Sequence, residues 1–402
     1  MRFSAAAAFR KILCFLIPAL VLCANGFAGE PAGMVTDMRG KTVILPRDPK
    51  RIATIDDGFV EGVLTRLGEI HRVAAIGSWA MKHDYSYSFT TASGEAYSYT
   101  RGWNTMKYLH PWLDALPCIS SPQGDGLNFE TLAAADPDLV ILRAGDCTVG
   151  SSNRETLSMV ISTIESLGFP LVVLYAPSWY SRPDLSTMTE EMAVIGSIFG
   201  KEKEARELGA FLYGTVDLIR SRTADIPENQ RTGLVMLGLN PSVRAQGGVG
   251  SVWGIDTPES YIMESIVNGR NLYRGNGTGK ILNPEQLYAL DPETIILPTW
   301  NGFHPPREIL EGADFTLLAE LRAIKNRRVY AMPWTPMNCS RRLEYPLDMI
   351  IIAKAAYPDR FADIKVHEFA LQLYKDLYGV DDAGARGLRS AQWLDWTVDN
   401  DF

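Results

Sequence analysis

The sequence predicts an α/β protein: two parallel-sheet α/β lobes joined by a single long α-helix, with a ligand cleft between the lobes. Three observations carry this reading. Residues 127–142, LNFETLAAADPDLVIL, return at 282–297 as LNPEQLYALDPETIIL, with nine identical positions at an offset of 155. Short apolar strands alternate with helical segments through both halves, the pattern of a parallel sheet covered by helices. Between the halves, residues 201–223 repeat apolar side chains at helical spacing with no proline.

The repeat reads as a short helix bearing a Glu, an Asp-Pro break and a buried strand. Proline stops a helix and drives its predecessor toward extended backbone. Two copies a domain length apart indicate two lobes built alike. Ahead of the first copy, VTDMRGKTVILP alternates around a Gly turn and predicts a hairpin. Strands are expected at 51–55, 73–77, 139–142 and 171–175, with helices at 58–67 and 151–167 between them. A second series runs through 232–239, 294–297 and 328–332. The segment 201–223 places Ala205, Leu208, Phe211, Leu212, Val216 and Ile219 on one face, and as a helix would span roughly 35 Å. The last third is expected to be helical at 343–356 and 366–378, followed from Gly379 by a poorly packed tail that Trp393 and Trp396 dock.

The chain has 402 residues, 46% of them hydrophobic and 21% charged, a composition of globular proteins. A net charge of −8 argues against a general binder of nucleic acid or anionic membrane. Arg2, Arg10 and Lys11 precede the run ILCFLIPALVLCA, and Gly26-Phe27-Ala28 comes after it, so residues 1–28 read as a signal peptide cleaved after about Ala28. The run is too short to span a bilayer. The expected division is then a first lobe at 29–200, the inter-lobe helix at 201–223 and a second lobe with a helical tail at 224–402. The mature chain is expected to be soluble, exported and monomeric. Of its cysteines, Cys118, Cys147 and Cys339 match no zinc spacing; one disulfide and one free thiol, or three buried thiols, both fit.

In open parallel sheets ligands sit beyond the carboxyl ends of the strands. The residues at and just past the expected strand ends are Trp79; Arg143 and Asp146; Trp179, Tyr180 and Arg182; Arg244; Trp300; and Trp334 with Ser340, Arg341 and Arg342. Four tryptophans just past strand ends, interleaved with arginines, predict an aromatic, partly cationic cleft suited to a bulky anionic complex. The ligand set expected is Trp79, Arg143, Trp179, Tyr180, Arg182, Arg244, Trp300, Trp334 and Arg341. The stretch from Trp79 to Trp112 shows few strand signals but holds Tyr85, Tyr87, Phe89, Tyr97, Tyr99, Arg101, Trp103 and Tyr108; it reads as a lid on the cleft or an aromatic cover for the first lobe.

Enzyme signatures are weak. GNGTGK at 275–280 lacks phosphate-loop spacing, and GGVGSVWG at 247–254 reads as a flexible turn. The five histidines are scattered, which argues against a histidine-rich site for a bare metal ion, although His83 with Asp84 fits a composite one. No catalytic residue, cofactor or resident metal is expected. The rival class, an exported enzyme, would rely on Asp146, Cys147 or Cys339.

In VTDMRGKTVILPRDPKRIATI, LGEIHRVAAIG, the two repeat copies and LLAELRAIKNRRVYAMP, in that order, the chain resembles the periplasmic substrate-binding proteins of ABC importers for iron-siderophores, haem and cobalamin. The resemblance covers nearly the whole mature chain. It implies two lobes on one long helix, capture of an iron chelate or related anionic metal complex, and delivery to an ABC permease dimer at the inner membrane. It also implies that Glu130 and Glu285, one per lobe, dock on permease arginines; a helix-start carboxylate favoured by the dipole is the plainer account. Relatives that bind molybdate or tungstate keep an oxyanion cargo open through Arg143, Arg244 and Arg341. The aromatic segment at 79–112 departs from the family by its length.

Overall fold

The computed structural model describes residues 33–120, 126–145, 148–149, 154–298, 304–333 and 342–402. The expected signal peptide lies outside these residues, as do Asp146, Cys147, Trp300, Trp334, Cys339, Ser340 and Arg341. Among the described residues no helix is long and apolar enough to cross a membrane.

Strands of the first half are β1 (Gly33–Thr36), β2 (Thr42–Leu45), β3 (Ile52–Ile55), β4 (Val73–Ala75), β5 (Tyr85–Thr90), β6 (Ala96–Gly102), β7 (Leu139–Ala144) and β8 (Leu171–Tyr175). β1 and β2 form the expected hairpin. The first lobe is a parallel sheet of order β4-β3-β7-β8. The second half holds β9 (Gly233–Gly238), β10 (Gly250–Val252), β11 (Arg270–Asn271), β12 (Lys280–Leu282), β13 (Thr294–Leu297) and β14 (Val329–Ala331). Its sheet has the order β12-β10-β9-β13-β14, with β11 on β9 and with β10 antiparallel to both neighbours. The α-helices of six or more residues are α1 (Phe59–Leu67), α2 (Phe129–Ala135), α3 (Arg154–Ser166), α4 (Thr187–Ile198), α5 (Glu202–Thr223), α6 (Pro284–Leu290), α7 (Pro306–Glu311), α8 (Tyr345–Ala356), α9 (Val366–Tyr378) and α10 (Asp382–Ala391).

Both repeat copies fold as predicted. Asn128 and Asn283 cap α2 and α6 by accepting from the N–H groups of Thr131 and Gln286. Each helix ends on an aspartate in the left-handed region, Asp136 at φ 45° and Asp291 at φ 38°, just before the proline. An arginine holds each turn: Arg51 donates to the Asp136 carbonyl and Arg322 to that of Asp291. The strands that come next, β7 and β13, are buried at every position.

Because side chains alternate across a strand, each sheet feeds two cores. Leu139 and Ile141 of β7, Val172 and Leu174 of β8, and Leu234, Met236 and Ile296 of β9 and β13 all enter one cluster. That cluster also takes Leu208, Leu212, Val216 and Ile219 of α5 and the isoleucines of α8. The opposite faces pack into separate clusters, one per lobe. The lobes therefore share a hydrophobic interior. The helix α5 runs 22 residues, about 33 Å at the usual rise, with glutamates in its first turn and arginines in its last. Phe211, placed on its apolar face by the sequence, is 46% exposed instead; it lies beside that stripe rather than in it.

Three expectations need correcting. The stretch after Trp79 is not strandless: β5 and β6 pair as an antiparallel hairpin, with Tyr85, Tyr87, Phe89, Tyr97 and Tyr99 on one face and Ser and Thr on the other. Alternation of small hydroxyls with aromatics is a strand signal that counting only aliphatic runs overlooks. The Gly-rich 247–254 segment is not a plain turn but contains β10. A Cβ at Gly250 would lie 2.5 Å from Leu237 Cδ1, so close packing accounts for that glycine. The tail is packed: α10 succeeds α9, Trp393 is buried, and Trp396 stacks on Phe402.

Candidate ligand cleft

β3 leads into Asp56 and Asp57, β7 carries Arg143, and the turn after β4 carries Ser78 and Trp79. Asp57 accepts from Ser78 at 2.5 Å and from Arg342, which also donates to the Asp57 carbonyl at 2.8 Å. Arg342 comes from beyond β14, so this buried ion pair joins the two ends of the fold. Burial pushes the Asp57 carboxyl up, with Arg342 opposing.

Arg143, expected as a ligand contact, is wholly buried. Its guanidinium donates twice to Glu191, at 2.5 and 2.9 Å, stands 3.8 Å from Asp56 and covers the Phe59 ring at 4.0 Å. It is committed to internal carboxylates, because it belongs to β7 itself rather than to the loop after it. The same pocket buries Glu61, whose Oε1 accepts from Thr54. Burial, and then the charge of Asp56, push Glu61 up to about 8; burial pushes Glu191 up to about 7 despite Arg143.

Of the other expected contacts, Arg182 lines a cleft between the lobes, and Trp179 and Tyr180 precede it in the chain. Trp179 is half-buried and stacks parallel to Tyr175 at 4.8 Å, Arg154 lies 4.6 Å from its ring centre, and Tyr180 turns its edge to Tyr175. Gly145, at φ 93°, makes room for this turn: a Cβ there would sit 2.9 Å from the Trp179 nitrogen. Past Tyr180, Ser181–Asp184 of the first lobe and Ile255–Ser265 of the second enclose a cleft of about 410 Å³. Tyr261 bridges it by donating to Asp184 at 3.1 Å. Burial, and then the Asp184 charge, push this phenol up to about 12, so it stays a donor.

The charges of this cleft are unequally committed. Asp184 accepts from Ser186 and Tyr261, Asp256 accepts from the Gly277 N–H, and Glu264 pairs with Arg274. Arg182 is exposed, and among the described residues no carboxylate or carbonyl takes up its guanidinium. An uncommitted guanidinium offers charge-assisted hydrogen bonds to an anion.

Arg244 lies elsewhere, in a recess of about 250 Å³ between the hairpin and the second lobe. It donates to the Leu239 carbonyl and pairs with Asp314 at 3.2 Å. Trp79 sits apart from both spaces, edge-on to His83 at 4.7 Å. The structure thus gathers Trp179, Tyr180 and Arg182, and separates Trp79, Arg143 and Arg244 from them. Glu130 and Glu285 are exposed in the first turns of α2 and α6.

One group escaped the sequence reading. His304 is fully buried; its Nδ1 lies 2.9 Å from Glu308, and among the described residues its Nε2 has no partner. The four-residue spacing of His304 and Glu308 was the available signal. Among the described residues no three His, Cys, Asp or Glu side chains cluster to hold a metal ion, and Cys118 is a free thiol.

The fold recurs in solved structures. A periplasmic solute binding protein from Veillonella parvula is 20% identical with a TM-score of 0.68, over 92% of this chain and all of that one. The molybdate-bound MolA of Haemophilus influenzae is 17% identical with a TM-score of 0.62, over 87% and 98% of the two chains. CeuE of Helicobacter pylori with Ni(II) bound is 19% identical with a TM-score of 0.60, over 88% and 98%. No curated protein sequence matches. The sequence model described as periplasmic binding protein matches residues 65–335, well over half of the chain. With two sheets on one long helix and a cleft between them, this chain is a member of the periplasmic binding protein family.

Proposed function

We propose that the protein captures an anionic iron complex, a ferric siderophore-like chelate, in the cleft between its lobes and delivers it to an ABC permease dimer without chemical turnover. The observation that carries the reading is Arg182: an uncommitted guanidinium in a space whose carboxylates are already satisfied, beside the Tyr175–Trp179–Tyr180 ledge. A volume of about 410 Å³ lies in the usual range for small organic ligands and suits a chelate better than a bare oxyanion. Trp300, Trp334 and Arg341, which follow β13 and β14 in the sequence and lie outside the described residues, stay in the proposed ligand set. Glu130 and Glu285 are the proposed docking residues, one on each lobe and both exposed on capped helix starts.

The second reading, a molybdate or tungstate receptor, is favoured by the MolA likeness; cobalamin and haem are the bulkier alternatives. Mass spectrometry of natively purified protein separates these. A ferric chelate is expected; a bound oxyanion selects the second reading, and chemically altered cargo after incubation would mean an exported enzyme.

A further inference from the structure

The parallel strands β7 and β8 end at Ala144 and Tyr175, and the chain beyond them is tied together. The Ala176 N–H donates to the Ala144 carbonyl at 2.9 Å, and the Ser178 hydroxyl donates to the Gly145 carbonyl. These bonds fix the turn that carries Trp179. Its indole lies parallel to the Tyr175 ring, 3° from coplanar at 4.8 Å. Over that indole, 4.6 Å from its centre, stands the guanidinium of Arg154, the first residue of α3. Arg154 is exposed, and among the described residues no carboxylate, carbonyl or hydroxyl accepts from it.

A long cationic side chain on a surface samples many rotamers, and binding through it costs the entropy of stopping them. The indole removes part of that cost in advance. A guanidinium resting on an aromatic ring is held by cation–π attraction, and its N–H groups remain to be shared. They match two adjacent oxygens of a carboxylate, a catecholate or an oxyanion. The place also fits, since ligands of parallel sheets sit beyond the carboxyl ends of the strands. We infer that the Arg154–Trp179–Tyr175 stack is an anion-binding site of the receptor, with Arg154 taking an oxygen-rich group of the cargo. The inference rests on the reading that the cargo is anionic. In it Trp179 is a pedestal that positions Arg154. Strand ends alone do not point to Arg154, because it opens the helix after β7 instead of following the strand directly.

Calorimetric titration with ferric citrate, a ferric tris-catecholate and molybdate tests this. Arg154→Ala is expected to weaken every probe that the parent binds by at least about tenfold, the low end for a hydrogen bond to a charged group. Its melting temperature should stay at the parent's value, because the side chain is exposed. Arg154→Lys keeps the charge but loses the fork, and is expected to recover only part of the affinity. Tryptophan emission should change as the probe binds, and Trp179→Phe should remove most of that change. An emission change that survives Trp179→Phe would place the anion elsewhere and overturn the inference. Unchanged affinity in Arg154→Ala overturns it too, and a lowered melting temperature would then mark Arg154 as a packing residue. If Arg182→Ala weakens the probe in that case, the anionic-cargo reading stands without the stack. Loss in Arg154→Ala alone upholds the stack and moves the cargo from the cleft of about 410 Å³ to the sheet end. A parent that binds none of the probes overturns both.

Discussion

Arg143 lies in one strand of the first sheet and Arg182 follows the next, yet they do opposite work. Arg143 is still inside β7, where a guanidinium is buried whichever face it takes, and it survives there only because Glu191 and Asp56 meet it. Arg182 lies seven residues past the end of β8, beyond a short helical turn and the aromatic ledge, where the chain has already left the sheet. Being near a strand end therefore does not make a ligand contact. The deciding factor is whether the chain has cleared the layer of helices before the side chain is placed.

Four variants sharpen that contrast. The largest effect is expected from Arg143→Ala, which strands two buried carboxylates. Breaking a buried pair by removing one partner costs about 3–5 kcal/mol, and urea unfolding should show it. A variant as stable as the parent would mean that Glu191 and Asp56 accept protons at no cost. Arg182→Ala should leave unfolding unchanged while weakening an anionic cargo by about 1.5–3 kcal/mol, the range for hydrogen bonds to charged groups. Titration calorimetry distinguishes this from an unchanged affinity, which would move the site out of the cleft.

The acids around Arg143 give a pH signature. The folded state raises Glu61 from 4.5 to about 8, so folding takes up a proton there. The stability tied to that proton is full below about pH 4.5 and is lost as the pH rises toward 8. Glu61→Gln should therefore flatten the decline of the melting temperature across that window. An equally steep decline in the variant would assign it to Glu191 or other groups. The smallest effect on the fold is expected at the outer surface. Glu130→Arg with Glu285→Arg should change stability by no more than about 0.5 kcal/mol and leave cargo affinity intact, yet abolish uptake in cells. Normal uptake would reduce the repeat to shared architecture.

The legible parts of the sequence were those governed by local rules. The Asp-Pro breaks, the Asn caps and the apolar strands each announce themselves within about sixteen residues, so both repeat copies, β3, β8, β9 and α5 fell where periodicity put them. The hairpin was hidden because its apolar face is made of tyrosines, which read equally well as surface or as site. Arg143 was misread because burial of a charge depends on Glu191, 48 residues away, and no spacing reveals such a partner. The Asp57–Arg342 pair spans 285 positions and is invisible for the same reason.

The shared interior has a consequence for how the chain comes to be folded. Phe59, Val63 and Leu64 of α1 lie in the same cluster as Leu373, Tyr374 and Leu377 of α9, more than 300 residues later. The first lobe's sheet can assemble early, but one of its faces stays bare until the last helices arrive. Chains usually acquire their domains one at a time from the amino end. Here the first lobe has to wait, with greasy surface showing, until nearly the whole polypeptide is present. That interval is when a holdase would recognise the chain, and when truncation of the final helices would do damage out of proportion to their length.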